Sequence, residues 1–173
     1  MLPDLKTHKI KLICAEGDYK QTILTRDIVY QIRKALDLRY KYSPVWRLMF
    51  STYINGYSYS TMLSTFTSTV GRGPYLLIAQ VLNKYYGVYF EEPLEVSLQP
   101  FGMRKKFLFK IENGNIKVTN LDPVLDQIVC SEEYLSFGYN KGGYKFLIDK
   151  SLMKIEVEEV ETVEYLEIYS IEE

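Results

Sequence analysis

The sequence predicts a mainly β domain: an antiparallel sandwich of two sheets, with two flanking helices in its N-terminal half. Three observations carry this. Sixteen tyrosines stand beside eight phenylalanines in 173 residues, and aromatic side chains suit the pleated, half-buried surface of a strand. From residue 75 onward, short apolar runs alternate with turn residues at the spacing of hairpins. The two helix-periodic stretches both come before residue 67, and helices segregated from strands in this way fit a sandwich with helices packed outside it.

The elements follow in order. Residues 1–24 alternate weakly, with Ile10 and Leu12 against Lys9 and Lys11, and read as one strand or a loosely docked arm. Thr25 can cap a helix whose face holds Ile28, Val29, Ile32, Ala35 and Leu36, with Asp27 in its first turn. Arg33 and Lys34 fall near its end, where cations suit the dipole. Ser43-Pro44 closes this region. Val45–Ser51 reads as a buried strand, Asn55-Gly56 as a tight turn, and Ser58–Phe66 as a second helix with Met62, Leu63 and Phe66 inward. Gly71-Arg72-Gly73-Pro74 reads as a loop.

Tyr75–Leu82 and Tyr85–Phe90 then form a hairpin about Asn83-Lys84. Asn113-Gly114 joins Lys106–Glu112 to Asn115–Thr119, with Phe107 and Phe109 expected inward and Lys106, Leu108 and Lys110 outward. Gln127–Cys130, Glu133–Phe137, Tyr144–Asp149, Lys154–Glu158 and Thr162–Ser170 complete about ten strands, with no internal repeat.

Length and composition bound the function. A chain of this size buries roughly 70% of its unfolded surface, so it needs neither metal nor disulfide to make a core. The net charge of −1 gives no basic footprint for nucleic acid. It is unevenly spread: residues 1–47 hold ten Lys and Arg against five acids, and residues 156–173 hold eight Glu and no base. Two solvated faces that attract each other in the fold account for this. Most of the tyrosines are expected at the edge of the core. Two cysteines and one histidine make neither a secreted disulfide scaffold nor a four-ligand zinc site. No apolar run approaches the ~18 residues of a membrane span, so no membrane insertion and a cytoplasmic location are expected.

No catalytic constellation is visible. His8, the one histidine, lies in the N-terminal arm. Cys130 follows Ile128 and Val129 and reads as an inert core thiol; Cys14 lies among Lys11 and Glu16. The loop at Gly71–Pro74 lacks the Lys and Ser or Thr of a phosphate loop. Gly138-Tyr139-Asn140-Lys141-Gly142-Gly143 reads as a turn. Residues 104–110 interleave bases and aromatics as an RNA-binding strand does, but alternation explains them. Asp122, Asp126 and Asp149 suit turns.

An ordered set of pieces resembles a TLDc domain, the domain of the oxidation-resistance protein family. Ile23-Leu24-Thr25, the helix after it, and Leu38-Arg39 resemble the start of that domain. Trp46-Arg47-Leu48-Met49-Phe50-Ser51-Thr52, Asn55-Gly56 and Ser58-Tyr59-Ser60-Thr61-Met62 are similar to its "WxLxYST…HGxSLxTL". Gly73–Ile78 is similar to "GPxLLVI", and Tyr86-Gly87-Val88-Tyr89 with Glu92-Pro93 to "FGAF…xP". Phe107-Leu108-Phe109, Val118-Thr119-Asn120, Leu135-Ser136-Phe137-Gly138, Phe146-Leu147-Ile148-Asp149 and Leu166-Glu167-Ile168-Tyr169 resemble "FLF", "WTG", "LAFGG", "LWLD" and "IEVW". The set divides the chain into an arm or extra strand at 1–22 and one domain at 23–173.

Three departures qualify the likeness. Asn55 stands where the family has His. Gly102-Met103-Arg104-Lys105 has lost the acid of "GTGE". The loop after Asp149 is short and carries no Cys, so a redox role for that family Cys does not carry over.

The resemblance implies a non-catalytic, cofactor-free protein-binding domain that regulates the vacuolar proton-pumping ATPase. It would bind the pump's soluble sector, promote its separation from the membrane sector, and contribute to oxidative stress resistance. It would sit in the cytoplasm, peripheral to a vacuolar or lysosomal membrane through its partner, as a monomer. Asn55, Gly56, Gly87, Gly138 and Asp149 match motif positions and are the candidate partner-binding residues. The alternatives are a small thiol-dependent antioxidant enzyme using Cys14 or Cys130, and a scaffold for another protein using the basic and acidic segments.

Overall fold

The computed structural model describes residues 4–14, 17–18, 22–67 and 73–173. The chain begins with β1 (Lys11–Cys14), β2 (Gly17–Asp18), α1 (Arg26–Ala35), α2 (Leu38–Lys41), β3 (Val45–Ser51), α3 (Thr52–Asn55) and α4 (Tyr59–Ser64). Strands β4 (Tyr75–Val81), β5 (Lys84–Phe90), β6 (Lys106–Glu112), β7 (Asn115–Asn120), β8 (Gln127–Cys130) and β9 (Tyr134–Tyr139) follow. The last are β10 (Phe146–Asp149), β11 (Lys154–Glu156), β12 (Val160–Thr162) and β13 (Tyr165–Glu172). They form two sheets, ordered β2-β1-β3-β13-β4-β5-β6-β7 and β12-β11-β10-β9-β8. The sandwich with flanking helices is the predicted fold. Among the described residues, every strand pair but one is antiparallel; the exception is β1 on β3.

The large sheet is covered on both faces. One face meets the small sheet in a core that includes Leu77, Val88, Phe90, Phe137, Phe146 and Ile168. The other is roofed by α1, whose Ile28 and Ile32, with Leu36 beyond its end, meet Trp46, Leu76, Ile78, Tyr89 and Phe109. Double burial explains the near-continuous apolar runs of β4 and β5, which a one-sided sheet would have broken with polar residues. Thr25 caps α1 as expected, accepting from the Ile28 N–H at 3.3 Å.

Double burial also corrects the outward placement of Lys106 and Leu108. Leu108 is buried in the core between the sheets, opposite the Phe107 and Phe109 face. Lys106 is 1% exposed, and its ammonium donates to the carbonyls of Gly102, Arg104 and Pro123 at 3.0–3.2 Å. Lys110 is only partly exposed; it pairs with Glu112 and lies over the Tyr86 ring.

Arg33 stands in the last turn of α1 as expected, and it is buried there. It is 1% exposed, donates from Nε to the last carbonyl of α2, on Lys41, and from Nη1 to the His8 carbonyl at 2.9 Å. Burial lowers its pKa. It ties the arm and α2 to α1.

Other differences are local. The turn between β4 and β5 falls on Leu82 and Asn83, with Leu82 at a φ of 53°. Ser58 caps α4 at Thr61, but the helix ends at Ser64. The expected strand at 162–170 is two strands: β12 closes the small sheet, Val163 is buried at the crossing, and β13 enters the large one. The two charged segments do meet, through Arg47 with Glu172 and Arg39 with Glu173. Of the loop at Gly71–Pro74, residues 71 and 72 lie outside the described residues, as do 1–3, 15–16 and 19–21 of the arm.

Two predictions follow from this packing. A Cβ on Gly87 would stand 2.1 Å from Phe109 Cζ and 2.6 Å from the Leu77 carbonyl oxygen. Gly87→Ala should therefore lower the unfolding free energy by about 2–4 kcal/mol in urea titrations. Lys106→Met leaves three carbonyls without their donor; it should cost about 2–4 kcal/mol and speed amide exchange at residues 101–105 and 121–126.

Candidate functional site

The register of the large sheet places a group of loops at one end. Ser51 pairs with Glu167, Gln80 with Tyr165, Val81 with Lys84 and Glu112 with Asn115. From this end α3 projects. It begins where Ser51 accepts from the Tyr53 N–H, and Thr52 Oγ1 is bound to the Leu166 N–H at 3.0 Å, which fixes α3 to β13. The expected tight turn at Asn55-Gly56 is the last turn of this short helix. Asn55 Oδ1 reaches back to accept from the Ser51 N–H at 3.0 Å, and Gly56, at a φ of 72°, carries the chain out of the helix. That conformation favours glycine.

This geometry turns five consecutive residues, 53–57, to solvent. Tyr53 is 58% exposed, Ile54 42%, and Tyr57 41%. The Tyr53 ring lies 6.3 Å from that of Tyr165, itself exposed at the start of β13, and the Tyr57 hydroxyl donates to the Glu164 carbonyl at 2.8 Å. Leu82 stands on the neighbouring hairpin, tied back by Gln80 Nε2. The result is an aromatic corner bordered by Glu164. Tyrosine and isoleucine presented by rigid backbone give contact area at low entropic cost, the composition of a protein-binding surface.

Of the candidate residues, the structure brings only Asn55 and Gly56 together, and both are exposed there. Asn55, where the family pattern has His, works as a backbone acceptor, which leaves the contact surface to its neighbours. Gly87 is buried mid-strand in β5, where Phe109 and Leu77 close on it. Gly138 is buried in β9 at a φ of 75°, with the Lys145 side chain against it. Asp149 ends β10, its Oδ1 accepting from the Ser151 N–H and hydroxyl. These three hold the fold at their positions. Sequence reasoning missed Tyr53, Ile54, Tyr57 and Tyr165, although the run of aromatic residues around Asn55-Gly56 was a signal that a large apolar surface flanked a turn.

The two thiols are not alike. Cys130 is fully buried, with Sγ 3.9 Å from the Tyr59 hydroxyl, which donates to the Ser131 carbonyl at 2.9 Å. Burial pushes the Cys130 thiol up, away from the thiolate a nucleophile needs. Cys14 ends β1, with its side chain outside the described residues. Among the described residues, no group of three or more His, Cys, Asp or Glu is placed to hold a metal ion, and no helix is long and apolar enough to cross a membrane.

A second opening, about 420 Å³, lies where the large sheet overhangs the small one. Leu108, Phe146 and Val157 line its apolar part, and Lys110, Lys117 and Glu158 its rim. Its charges are of both signs and Lys110 is already paired; none forms an acid–base pair with a nucleophile.

No curated protein matches the chain. The family model of the TLDc domain matches residues 17–172, a span that runs from β2 to the end of β13: the chain belongs to the TLDc-domain family.

Proposed function

We propose that this TLDc protein is a non-catalytic binding module that engages the soluble sector of the vacuolar proton-pumping ATPase and promotes its release. One observation carries the docking half of this reading: the exposed corner of Tyr53, Ile54, Tyr57 and Tyr165, held rigid by α3 and β13. Family membership supplies the pump as the partner to test first. The mechanism needs no bond chemistry. A module that binds the separated sector more tightly than the assembled pump shifts the equilibrium by that difference in affinity. A protective effect under oxidative stress would then be indirect, through the pump. A monomer in the cytoplasm, recruited to a vacuolar or lysosomal membrane by its partner, fits this mode of action.

The competing reading, a thiol-dependent antioxidant, loses support at Cys130. A fully buried thiol with its pKa raised offers an oxidant neither access nor a thiolate. It would have to work through Cys14.

Two measurements separate these readings. Purified chain mixed with purified pump soluble sector should form a complex on a sizing column. Tyr53→Ala combined with Tyr165→Ala should weaken it by tenfold or more, about the effect of losing one hot spot, with no change in melting temperature. Unchanged affinity in that variant would move the interface elsewhere, and no complex at all would remove the pump reading. In the second, native protein treated with iodoacetamide at pH 8 should remain unmodified at Cys130 by mass spectrometry and become modified there in urea. Rapid native labelling of Cys130 would reinstate it as a reactive group.

A further inference from the structure

The opposite end of the large sheet carries a different surface. There Phe90 pairs with Lys106 and Phe107 with Asn120, so the segment between β5 and β6 and the segment between β7 and β8 emerge side by side. Their tips expose apolar side chains: Met103 is 68% exposed, Val124 54% and Leu125 62%.

These tips are built, not loose. The buried Lys106 ammonium bridges the carbonyls of Gly102 and Arg104 on one segment to that of Pro123 on the other. Glu92 Oε1 accepts from the Met103 and Arg104 N–H groups at 2.7 and 2.6 Å. Asp122 Oδ1 accepts from the Val124 and Leu125 N–H groups at 2.9 and 2.8 Å, and these bonds hold its carboxyl below the usual range. Asp126 accepts Asp122's own N–H and pairs with Lys145. The polar groups of both segments are thus turned inward to fix the backbone, and the apolar side chains are left outside. A soluble loop ordinarily does the reverse.

Among the described residues, the tip carries cations that no carboxylate pairs. Arg104 is exposed and has no ion pair among the described residues. Lys141 sits on the exposed hairpin beyond Tyr139, which pairs with Gln127 next to the tip. Lys105 and Lys145 add two more cations, each with a carboxylate partner in Asp37 and Asp126. Of the nearby carboxylates, Asp37 and Asp122 are exposed; Asp37 pairs with Lys105, and Asp122 Oδ1 is committed to its own loop.

We propose that this double-loop tip docks on a bilayer containing anionic lipid, with Met103, Val124 and Leu125 entering the headgroup boundary and Arg104 and Lys141 meeting acidic headgroups. Exposed apolar side chains flanked by unpaired cations are the combination that an anionic lipid surface complements. Apolar insertion or charge alone gives marginal, reversible attachment, and the two together make a working one. This is shallow peripheral contact and involves no spanning segment. It uses the end of the sheet opposite the aromatic corner, so it stands or falls independently of the pump reading.

The test is sedimentation of the full chain with vesicles of phosphatidylcholine alone or with about 30 mol % phosphatidylserine. The chain should sediment with the anionic vesicles, and added salt should weaken this. The triple change Met103→Ser, Val124→Ser and Leu125→Ser should cut binding about tenfold or more, and Arg104→Glu with Lys141→Glu should do likewise. All five positions are exposed, so melting temperatures should hold; Tyr53→Ala, at the other end, should bind vesicles as the parent does. Equal sedimentation of parent and triple variant, or none with either vesicle, overturns the proposal. Capture of an acidic amphipathic peptide by this tip without vesicle binding would also overturn it, making the partner a protein.

Discussion

The structure depends on its last strand. β13 lies between β3 and β4, and without it the large sheet is two unconnected pieces, β2-β1-β3 and β4-β5-β6-β7. Leu166 and Ile168 enter the core between the sheets. Tyr169 and Ile171, on the opposite face of the strand, join the core under α1. One strand therefore contributes to both cores through its plain alternation, and a register shift between Ile168 and Tyr169 interrupts only its pairing with β3. Its partners are more than 80 residues away in sequence, so the loop-closure entropy of the whole chain must be met before the sheet is complete. The buried carboxylate of Glu167 fastens the start of the helical region to this strand, accepting from the Thr22 hydroxyl, the Ile23 N–H and the Tyr169 hydroxyl.

Glu167, Lys106 and Arg33 follow one physical rule. Each is a buried ionisable group; Lys106 and Arg33 meet backbone carbonyls of segments outside the sheets, and Glu167 meets one such N–H and two hydroxyls. An ion removed from water must recover its hydration from fixed dipoles. Loop carbonyls and N–H groups need partners once buried. Pairing one need with the other lets irregular segments lie against an apolar sandwich. It also makes those segments rigid, and rigid segments can present side chains to a partner at low entropic cost.

The fold class was legible because strand alternation and turn residues are local. Asn113-Gly114 marked a hairpin, Thr25 a cap, and both stand where expected. What local pattern cannot convey is that the large sheet has two covered faces. The alternation around Phe107 and Phe109 was read as inside and outside, when it is one core and another, so Leu108 was turned to solvent and Lys106 with it. Arg33 stands in the last turn of α1 as expected, but its burial requires α2 and the arm to close over α1, a long-range fact. The site was less legible still. Motif matches singled out glycines and an aspartate that the structure explains as packing and turns. The exposed side chains beside them, Tyr53, Ile54 and Tyr57, differ from core residues only by where the α3 helix turns them, and no periodicity records that.

The two surfaces lie at opposite ends of strands about seven residues long. At roughly 3.3 Å per residue, these ends are on the order of 20–25 Å apart. The strands between them are paired in continuous register across β13, β4, β5 and β6, and β3 joins them through one register shift, so neither end can move far without breaking ladder bonds. A module of this kind does not couple its ends by changing shape; it couples them by geometry. On the two proposals together, a bilayer held at the Met103–Leu125 end would set the height at which the Tyr53 corner faces a membrane-bound pump. Confinement near that surface raises the effective concentration of the corner, so a weak contact at each end suffices for a stable joint state. Release then needs only one contact to fail. On the proposed preference for the separated sector, the membrane contact is the one that fails, and the module leaves with that sector.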